Sequence, residues 1–430
     1  MTRTALPILT VLALFACDNA GNDTDFDTET DTDPTAVDRV ARVVISPDGP
    51  TGDVVDASNT LAFDLYAELA DDDEDNLFFS PFSTLTALGM TAAGANGTTA
   101  DQMADVLSIS DDSDAWHTAL GALSRDLNGE LGRGYTLNIA NRLFGQQDYP
   151  FETSFLTLVD DAYDAPLEEW DFVSDPSGGR DHINGWVDDQ TNDRIVDLLP
   201  STAITRDTRL VLANAIYFLA DWRSPFDPEQ TYDGAFTTSD GTVVTTPMMN
   251  MDLSTVEEHA VRSTHTDGVA IVQLPYEDDE LSMVLIVPEG DTALADVEAS
   301  LDALQYRAWV DAAQPSEAWF AMPKFTLEYE AELSVPLRAL GMPDAFDPVL
   351  ADFTGIADLP DEPLHIGGVF HKAFVAVDEL GTEAAAATAV VVNTDTSVGD
   401  TILANRPFLF AIQDDLTGTV LFMGRVADPS

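Results

Sequence analysis

The sequence is most informative between residues 375 and 397, which read V-A-V-D-E-L-G-T-E-A-A-A-A-T-A-V-V-V-N-T-D-T-S. Alanine has the highest helix propensity, so the run from Ala384 to Ala387 favours a helix when it is considered alone. The run lies between β-branched segments, however, and those favour an extended strand. Two interpretations follow: an alanine-rich surface helix, or a segment that can become a strand.

In an extended conformation this segment has two different faces. Read with a period of two, one face carries only uncharged residues no larger than valine, namely Thr382, Ala384, Ala386, Thr388 and Val390. Glu383, the charge in the run, points to the opposite face. A strand with this pattern can slide between existing strands and turn its small side chains towards a core.

Apolar periodicity elsewhere predicts a mixed α/β domain. Helical stripes occur over residues 59–69 and 182–199, and Ser80-Pro81 is typical of a helix start, with Ser as the cap and Pro in the first turn. Short apolar runs predict buried strands over residues 77–79, 210–220, 269–274 and 281–287. Helices and strands are interleaved without regular alternation, so we expect one mixed domain rather than a parallel doubly wound sheet.

Several further motifs occur along the chain in the order in which one known family has them. They lie at residues 76–83 (N-L-F-F-S-P-F-S), 183–199, 212–226, 247–249, 321–325 (A-M-P-K-F), 405–410 (N-R-P-F-L-F) and 421–426 (L-F-M-G-R-V). With residues 379–387 they span nearly everything after residue 55. On these motifs the sequence strongly resembles the serpins, protease inhibitors whose reactive loop inserts into a large β-sheet.

The resemblance implies a serpin-like fold and assigns individual residues to it. That fold has three β-sheets, eight or nine helices and an exposed reactive-centre loop, here at about residues 379–404, within one domain over residues 54–430. The hinge of the loop comprises Glu379, Gly381, Thr382, Glu383, Ala384, Ala385, Ala386, Ala387 and Thr388. A polar cluster under the centre of the main sheet, the shutter, comprises Ser80, Ser83, Asn214 and His371. In the main sheet of serpins two strands part above the shutter. Trp222 and Glu379 match the breach, which is the upper end of the seam between those strands.

The resemblance also implies a mechanism in which the chain is an inhibitor and not an enzyme. A target protease attacks the exposed loop as a substrate and forms an acyl-enzyme. The cleaved loop from Thr382 onward then becomes a new strand in the main sheet, so the native form has to be metastable. The hinge residues Thr382, Ala384, Ala386 and Thr388 are uncharged and impose little burial cost, which favours an inhibitor. The alternative is a non-inhibitory binding module of the same fold.

Two counts along the sequence locate the scissile bond differently. Sixteen positions beyond Glu379 is Asp395, with Thr396 after the cut, whereas counting back from Pro407 gives Thr396; Thr394 is a third candidate. Asp395 suits a protease with a cationic specificity pocket, and a threonine suits one with a small apolar pocket. The expected partner is a serine or cysteine protease in a covalent complex with a monomeric inhibitor.

Composition excludes several other classes of function. The 430 residues include 77 Asp and Glu against 18 Lys and Arg, which gives a formal net charge of −59. Such a surface repels phosphate backbones and anionic lipid headgroups, so nucleic-acid binding is not expected. The 45% of hydrophobic residues is enough to bury a large core. The only lysines are Lys324 and Lys372.

Motifs for catalysis, cofactors and metals are missing from the sequence. It has no G-x-S-x-G, no G-x-x-x-x-G-K-S/T, no H-E-x-x-H and no G-x-G-x-x-G after a strand. The six histidines lack metal-ligand spacing, and carboxylates are too abundant for one pair to be chosen. We therefore expect no cofactor and no metal.

The N-terminus predicts export. Residues 5–15 form an apolar run too short to span a bilayer, and Leu14-Phe15-Ala16-Cys17 resembles a bacterial lipoprotein signal. Residues 1–16 would then be removed and Cys17 lipidated, which would be the only membrane attachment. Plain signal cleavage near Ala16 or Ala20 is the alternative. Residues 17–53 are predicted to be an acidic, disordered tether, and both interpretations direct the protein out of the cytoplasm.

Overall fold

The computed structural model of this chain describes residues 49–70, 75–128, 135–256, 260–382 and 400–430. Nine α-helices lie in these ranges, as α1 (Pro50–Ala70), α2 (Pro81–Ala92), α3 (Gly97–Leu107), α4 (Ser113–Leu127), α5 (Thr153–Tyr163), α6 (Pro176–Gln190), α7 (Leu294–Glu298), α8 (Ala303–Ala312) and α9 (Ser334–Leu340). No helix in the described ranges combines the length and the apolar character needed to span a bilayer. All described residues fall within one compact unit, Arg39–Ser430.

The strands form three sheets in the described part of the chain. They are β1 (Leu77–Phe79), β2 (Tyr135–Gln146), β3 (Leu167–Trp170), β4 (Leu210–Asp221), β5 (Tyr232–Thr237), β6 (Val243–Asp252), β7 (Arg262–Thr266), β8 (Val269–Pro275), β9 (Leu281–Pro288), β10 (Gln314–Pro315), β11 (Trp319–Pro323), β12 (Phe325–Glu332), β13 (Phe370–Val377), β14 (Gly381–Thr382), β15 (Thr401–Leu403), β16 (Phe408–Asp414) and β17 (Val420–Val426). Their orders are β1-β17-β16-β9-β8-β7-β10, β15-β11-β6-β5 and β12-β13-β14-β4-β2-β3. The predicted mixed α/β fold with three sheets is confirmed.

The local sequence signals explain the elements on which the six-stranded sheet rests. Ser80 caps α2, since its side chain accepts a hydrogen bond from the Ser83 N–H, and Pro81 occupies the first turn. Helix α2 packs against β4 and β17 and is buried along most of its length, which matches its apolar sequence. The predicted strands at residues 77–79, 210–220, 269–274 and 281–287 are all confirmed.

The helix predicted over residues 182–199 is wrong in its second half. Helix α6 ends at Gln190, because Asn192, Asp193 and Asp197 take left-handed backbone conformations with φ of 51°, 61° and 53°. The apolar residues beyond them still face inwards and form, with α6, a second small core on the outer face of the six-stranded sheet. Their burial therefore comes from an irregular segment and not from a helical stripe.

Among the described residues, the six-stranded sheet is incompletely paired in its middle. In the described residues, β13 and β4 are joined only through the two-residue strand β14, which is antiparallel to both. Below β14, from Leu210 to Leu219 on one side and Phe370 to Ala376 on the other, no described strand lies between them. We call this gap the slot.

Candidate functional site

Both residues of β14 lie at the top of the slot. Gly381 pairs with Asp221 and Thr382 with Ala220 on β4, while Thr382 also pairs with Val377 on β13. A side chain on Gly381 would place its Cβ 2.1 Å from the carbonyl oxygen of Ala220. Glycine is therefore required where the chain enters the sheet.

Trp222 forms hydrogen bonds with the backbone of the residues immediately before β14. Its backbone N–H donates to the carbonyl oxygen of Leu380 at 2.8 Å, and its indole Nε1–H donates to the carbonyl oxygen of Asp378 at 2.9 Å. The N–H of Phe226 donates to the carbonyl oxygen of Glu379 at 2.9 Å. Three consecutive residues of the hinge region are thus tied by their backbone to the segment that follows β4.

Glu379 lies in a buried polar pocket at the same end. Its carboxylate accepts a hydrogen bond from the Thr231 hydroxyl at 2.7 Å and lies 2.5 Å from the ammonium of Lys324. Burial opposes ionisation, but the hydrogen bonds from Lys324 and Thr231 outweigh it and hold the pKa of Glu379 below its usual value. The carboxyl group of Glu379 is therefore ionised at neutral pH.

Thr382 has a buried partner on the core side. Its side chain is 2% exposed, and its hydroxyl lies 2.6 Å from the hydroxyl of Tyr276, which follows β8. Burial raises the pKa of Tyr276, so this group stays a neutral phenol. The entry point is thus fixed by backbone pairing from two strands and by one side-chain contact from beneath.

The predicted shutter residues lie together beneath the slot. The Ser80 hydroxyl donates to the carbonyl oxygen of Leu421 at 2.7 Å, and the Ser80 N–H donates to Nε2 of His371 at 3.2 Å. Burial lowers the pKa of His371 to about 4, so its imidazole is neutral at pH 7. Because Nε2 accepts this bond, the ring proton belongs on Nδ1.

The second half of the shutter joins the same helix to β4 and β2. The Ser83 hydroxyl donates to the side-chain oxygen of Asn214, whose amide nitrogen donates to Asn141 Oδ1 at 2.6 Å. Asn141 in turn donates to the carbonyl oxygen of Tyr163 at 3.1 Å. Within the described residues these polar groups are satisfied by one another and by backbone carbonyls, through hydrogen bonds that side-chain rotations can exchange.

A cavity of about 690 Å³ opens through the slot. Its lining comes from both faces of the sheet: Leu88 from α2 beneath, Asn214 and His371 from the two flanking strands, and Ile195 and Leu199 from the segment that crosses above. The space has a mixed apolar and polar lining and is bounded by the strands that would flank an added one. It can receive a further strand with small side chains.

Comparisons with known proteins agree with this architecture. The family model described as "Serpin (serine protease inhibitor)" matches residues 56–429. The chain belongs to the serpin family. Serpin B8 from Homo sapiens is 38% identical over 383 residues, covering 88% of this chain and all of the relative. The leukocyte elastase inhibitor of Xenopus tropicalis is 35% identical over 378 residues, covering 87% of this chain and 98% of the relative.

A solved structure has the same fold as this serpin. The crystal structure of tengpin, a thermophilic serpin in its native state, superposes with a TM-score of 0.77 at 28% identity and covers 91% of this chain and 97% of its own. The family is one of protease inhibitors and not mainly of catalytic enzymes, and its members act on target proteases. The expected family and fold class are both confirmed.

Four residues of the site in this serpin are not predicted by its sequence. Thr231, Tyr276 and Asn141 lie on other elements and carry no local signal that they meet the hinge or the shutter. Lys324 had such a signal, because it is one of only two lysines and lies in the A-M-P-K-F motif. In the described residues no group of three or more potential ligands could hold a metal ion.

Several predicted site residues lie outside the described part of the chain. They are the rest of the hinge (Glu383, Ala384, Ala385, Ala386, Ala387 and Thr388), the scissile candidates (Thr394, Asp395 and Thr396) and the lipidation residue Cys17. The described site consists of the breach, the shutter and the first residues of the hinge.

Proposed function

We propose that this serpin is an inhibitor that traps a serine or cysteine protease as an acyl-enzyme when its cleaved loop inserts into the slot. The observation that carries the proposal is the position of Thr382, which is paired on both sides above a gap that no strand of the described residues fills. A strand that continues from this residue has flanking strands on both sides and space for its side chains. Insertion therefore needs no rearrangement of the first pair.

The pairing register of β14 supports insertion of the following residues. Each residue further along the loop meets a β4 residue one position earlier, so residues 382–392 would lie opposite residues 220–210. Alternation then turns Ala384 and Ala386 to the same side as Thr382, which faces the core, and Glu383 to the outer side. The charged residue stays outside and the small residues enter.

The register also gives the shutter a role in the inserted form. Six positions beyond Thr382, Thr388 would arrive between Asn214 on β4 and His371 on β13. Its hydroxyl can donate and accept hydrogen bonds, so it can bond to polar groups that the arriving strand displaces from Ser83 or Ser80. A polar residue at this position matches a polar site, whereas alanines face the apolar parts of the slot.

The free energy released by insertion is large compared with protein stability. An added strand of this length makes on the order of ten backbone hydrogen bonds at about 1 kcal/mol each, a sum similar to the stability of a whole domain. The native form is then held by kinetics, because the intact loop is tethered at both ends. This release is sufficient to distort an attached protease.

The covalent step places the protease at the new end of the loop. The protease nucleophile attacks the carbonyl carbon of the scissile residue, for which Asp395, Thr396 and Thr394 are the candidates, and an ester or thioester forms. The peptide C–N bond breaks, and the leaving amine takes a proton from the protease. Insertion must then occur before water hydrolyses the acyl bond.

Two measurements test the proposal together. The protein is incubated with a panel of serine and cysteine proteases, and denaturing gels with mass spectrometry identify the covalent adduct and the cut site. Separately, the loop is nicked by a protease that leaves no adduct, and the melting temperatures of nicked and intact protein are compared. We expect an adduct and a steep rise in melting temperature. A nicked form that melts with the intact form would contradict insertion.

We also propose that the inhibitor acts outside the cytoplasm, either lipid-anchored through Cys17 or secreted. The support is the N-terminal sequence, which resembles a lipoprotein signal. Mass spectrometry of the mature N-terminus, compared with a Cys17→Ser variant, distinguishes a lipid-modified cysteine from plain cleavage. An unprocessed Met1 in the mature protein would contradict both forms of export.

A further inference from the structure

Tyr276 brings a side chain from the seven-stranded sheet to the hinge. Its ring is fully buried and stacks on Trp222 with centroids 4.6 Å apart and planes 10° from parallel. Phe218 packs edge-on against the same ring at 5.2 Å and 76°. These two aromatic contacts hold the ring in place. In this position the Tyr276 hydroxyl lies 2.6 Å from the Thr382 hydroxyl.

The backbone of Tyr276 is also fixed by contacts with its neighbours. Its N–H donates to the carbonyl oxygen of Leu281 at 2.9 Å, and the residue forms a β-bridge with Trp222. Trp222 is also the residue that binds the backbone of Asp378 and Leu380. The hydroxyl of Tyr276 therefore stands at a fixed distance from the segment through which the loop enters.

We propose that Tyr276 is a positioning residue that keeps Thr382 seated between β4 and β13, so that loop insertion starts from a formed first pair. The inference rests on the proposed inhibitory function and adds a determinant of its speed. Thr382 has the same strand neighbours before and after insertion, so the contact does not oppose the reaction. The contact between Tyr276 and Thr382 affects the first step of strand addition.

The physical reason is the cost of beginning a new strand. If Thr382 left the slot, its backbone would first have to find both flanking strands, and closing that segment costs conformational entropy before any bond is gained. With Thr382 in place, each further residue adds its pairing to an existing one. A seated hinge therefore favours insertion in its competition with hydrolysis of the acyl bond.

The test removes single hydroxyl groups. Tyr276→Phe keeps the ring and leaves the buried Thr382 hydroxyl unsatisfied, and Tyr306→Phe is a matched control. Tyr306 is also buried, and its hydroxyl donates to the side-chain oxygen of Gln413, on β16, at 2.7 Å. Hydrogen exchange of the peptide that contains residues 378–382 reports opening of the hinge, and the number of inhibitor molecules consumed per trapped protease reports partitioning.

In Tyr276→Phe we expect hinge exchange to become about tenfold faster, the scale of one unsatisfied buried hydrogen bond, and more inhibitor to be consumed as substrate. Tyr306→Phe should change neither. If Tyr276→Phe does not fold, Thr382→Val removes the same bond from the other side, and Thr382→Ser, which retains a hydroxyl, should restore protection.

Two results would overturn the inference: hinge exchange in Tyr276→Phe equal to that of Tyr306→Phe, or a loosened hinge that traps protease more efficiently than the wild type. Failure of the proposed function is a different result. Absence of an adduct with every protease, together with faster hinge exchange in Tyr276→Phe, would refute inhibition and leave the seating of Thr382 by Tyr276 supported. Covalent adducts with a protease, together with unchanged hinge exchange in Tyr276→Phe, would support inhibition and refute the seating of Thr382 by Tyr276.

Discussion

The ammonium of Lys324 lies 2.5 Å from the carboxylate of Glu379, at the upper end of the slot. The Glu379 side chain is only 6% exposed, so removal of the cation leaves a buried carboxylate with Thr231 as its remaining side-chain partner. Lys324→Met, which keeps the aliphatic stem, should lower the free energy of unfolding by about 3–5 kcal/mol. Denaturant unfolding of the two proteins measures the difference.

The chain's other lysine provides the control for that change. Lys372 pairs with Glu328, whose side chain is 58% exposed, and its ammonium donates to the carbonyl oxygen of Val196. After Lys372→Met, Glu328 remains hydrated, so the loss should be about 1 kcal/mol or less. Equal losses in the two variants would show that the pair at the breach has no special importance.

Thr382→Arg should convert the inhibitor into a substrate. The side chain at this position is buried against the neutral phenol of Tyr276, so a guanidinium there would have to lose its hydration. The hinge would be excluded from the slot while the scissile bond stayed accessible. We expect the cleaved variant to accumulate as the main product, and the number of inhibitor molecules consumed per trapped protease to rise more than about tenfold. Denaturing gels of timed mixtures measure both products.

Leu380→Arg is the matched control on the same short segment. Leu380 is 45% exposed, so an arginine there can keep its charge in water. This variant should form the adduct as the wild type does. A stable covalent complex of Thr382→Arg would mean that the core-facing position does not control insertion.

The fold was predictable because its signals are local or follow a period. Apolar runs predict four of the buried strands, and a serine before a proline predicts the N-cap at Ser80. The period-two reading placed Thr382 on a core-facing side, where its side chain is 2% exposed. The helix boundary at Gln190 was missed, because aspartates and an asparagine in left-handed conformations end it where a glycine signal would be expected.

The missing parts of the site are contacts between distant elements. Tyr276 meets Thr382 across 106 positions of sequence, and Thr231 meets Glu379 across 148. No periodicity or capping pattern connects such pairs, because each depends on how two sheets are packed. A single sequence therefore predicts which segment enters the slot more readily than which side chains hold it there.

Acid should destabilise the protein through His371 in the shutter. The pKa of His371 is lowered by burial to about 4, whereas an unfolded histidine has a pKa of about 6.5. Above pH 6.5 both states are neutral, and between pH 6.5 and 4 the unfolded state gains the proton first. The free energy of unfolding should therefore fall over this window, by up to about 3 kcal/mol from this residue.

Comparison of unfolding curves at pH 4.5 and pH 7.5 tests the contribution of His371. His371→Gln should show a smaller difference between the two pH values than the wild type. Some dependence will persist, because burial also lowers the pKa of His117 to about 4. His365→Gln, at an exposed position, should behave as the wild type does. An unchanged difference in His371→Gln would contradict the assignment.

His265 joins the strand that follows the reactive loop to the body of the protein, and this link should weaken in alkali. Its Nε2 lies 2.8 Å from Asp400, directly before β15, and its Nδ1 lies 2.8 Å from Glu289. Burial opposes protonation, but the hydrogen bonds and charges of Glu289 and Asp400 outweigh it and raise the pKa of His265.

A raised histidine pKa means that the stabilising contribution is complete below pH 6.5 and is lost as the pH rises through the folded-state value. The groups are partly exposed, so we expect a modest effect of about two- to fivefold on opening of this segment. Hydrogen exchange of a peptide covering residues 400–410, corrected for the intrinsic effect of pH, should show protection at pH 5.5 that declines by pH 8.5. His265→Gln should remove that dependence, whereas protection that changes equally in both proteins would assign it to other groups.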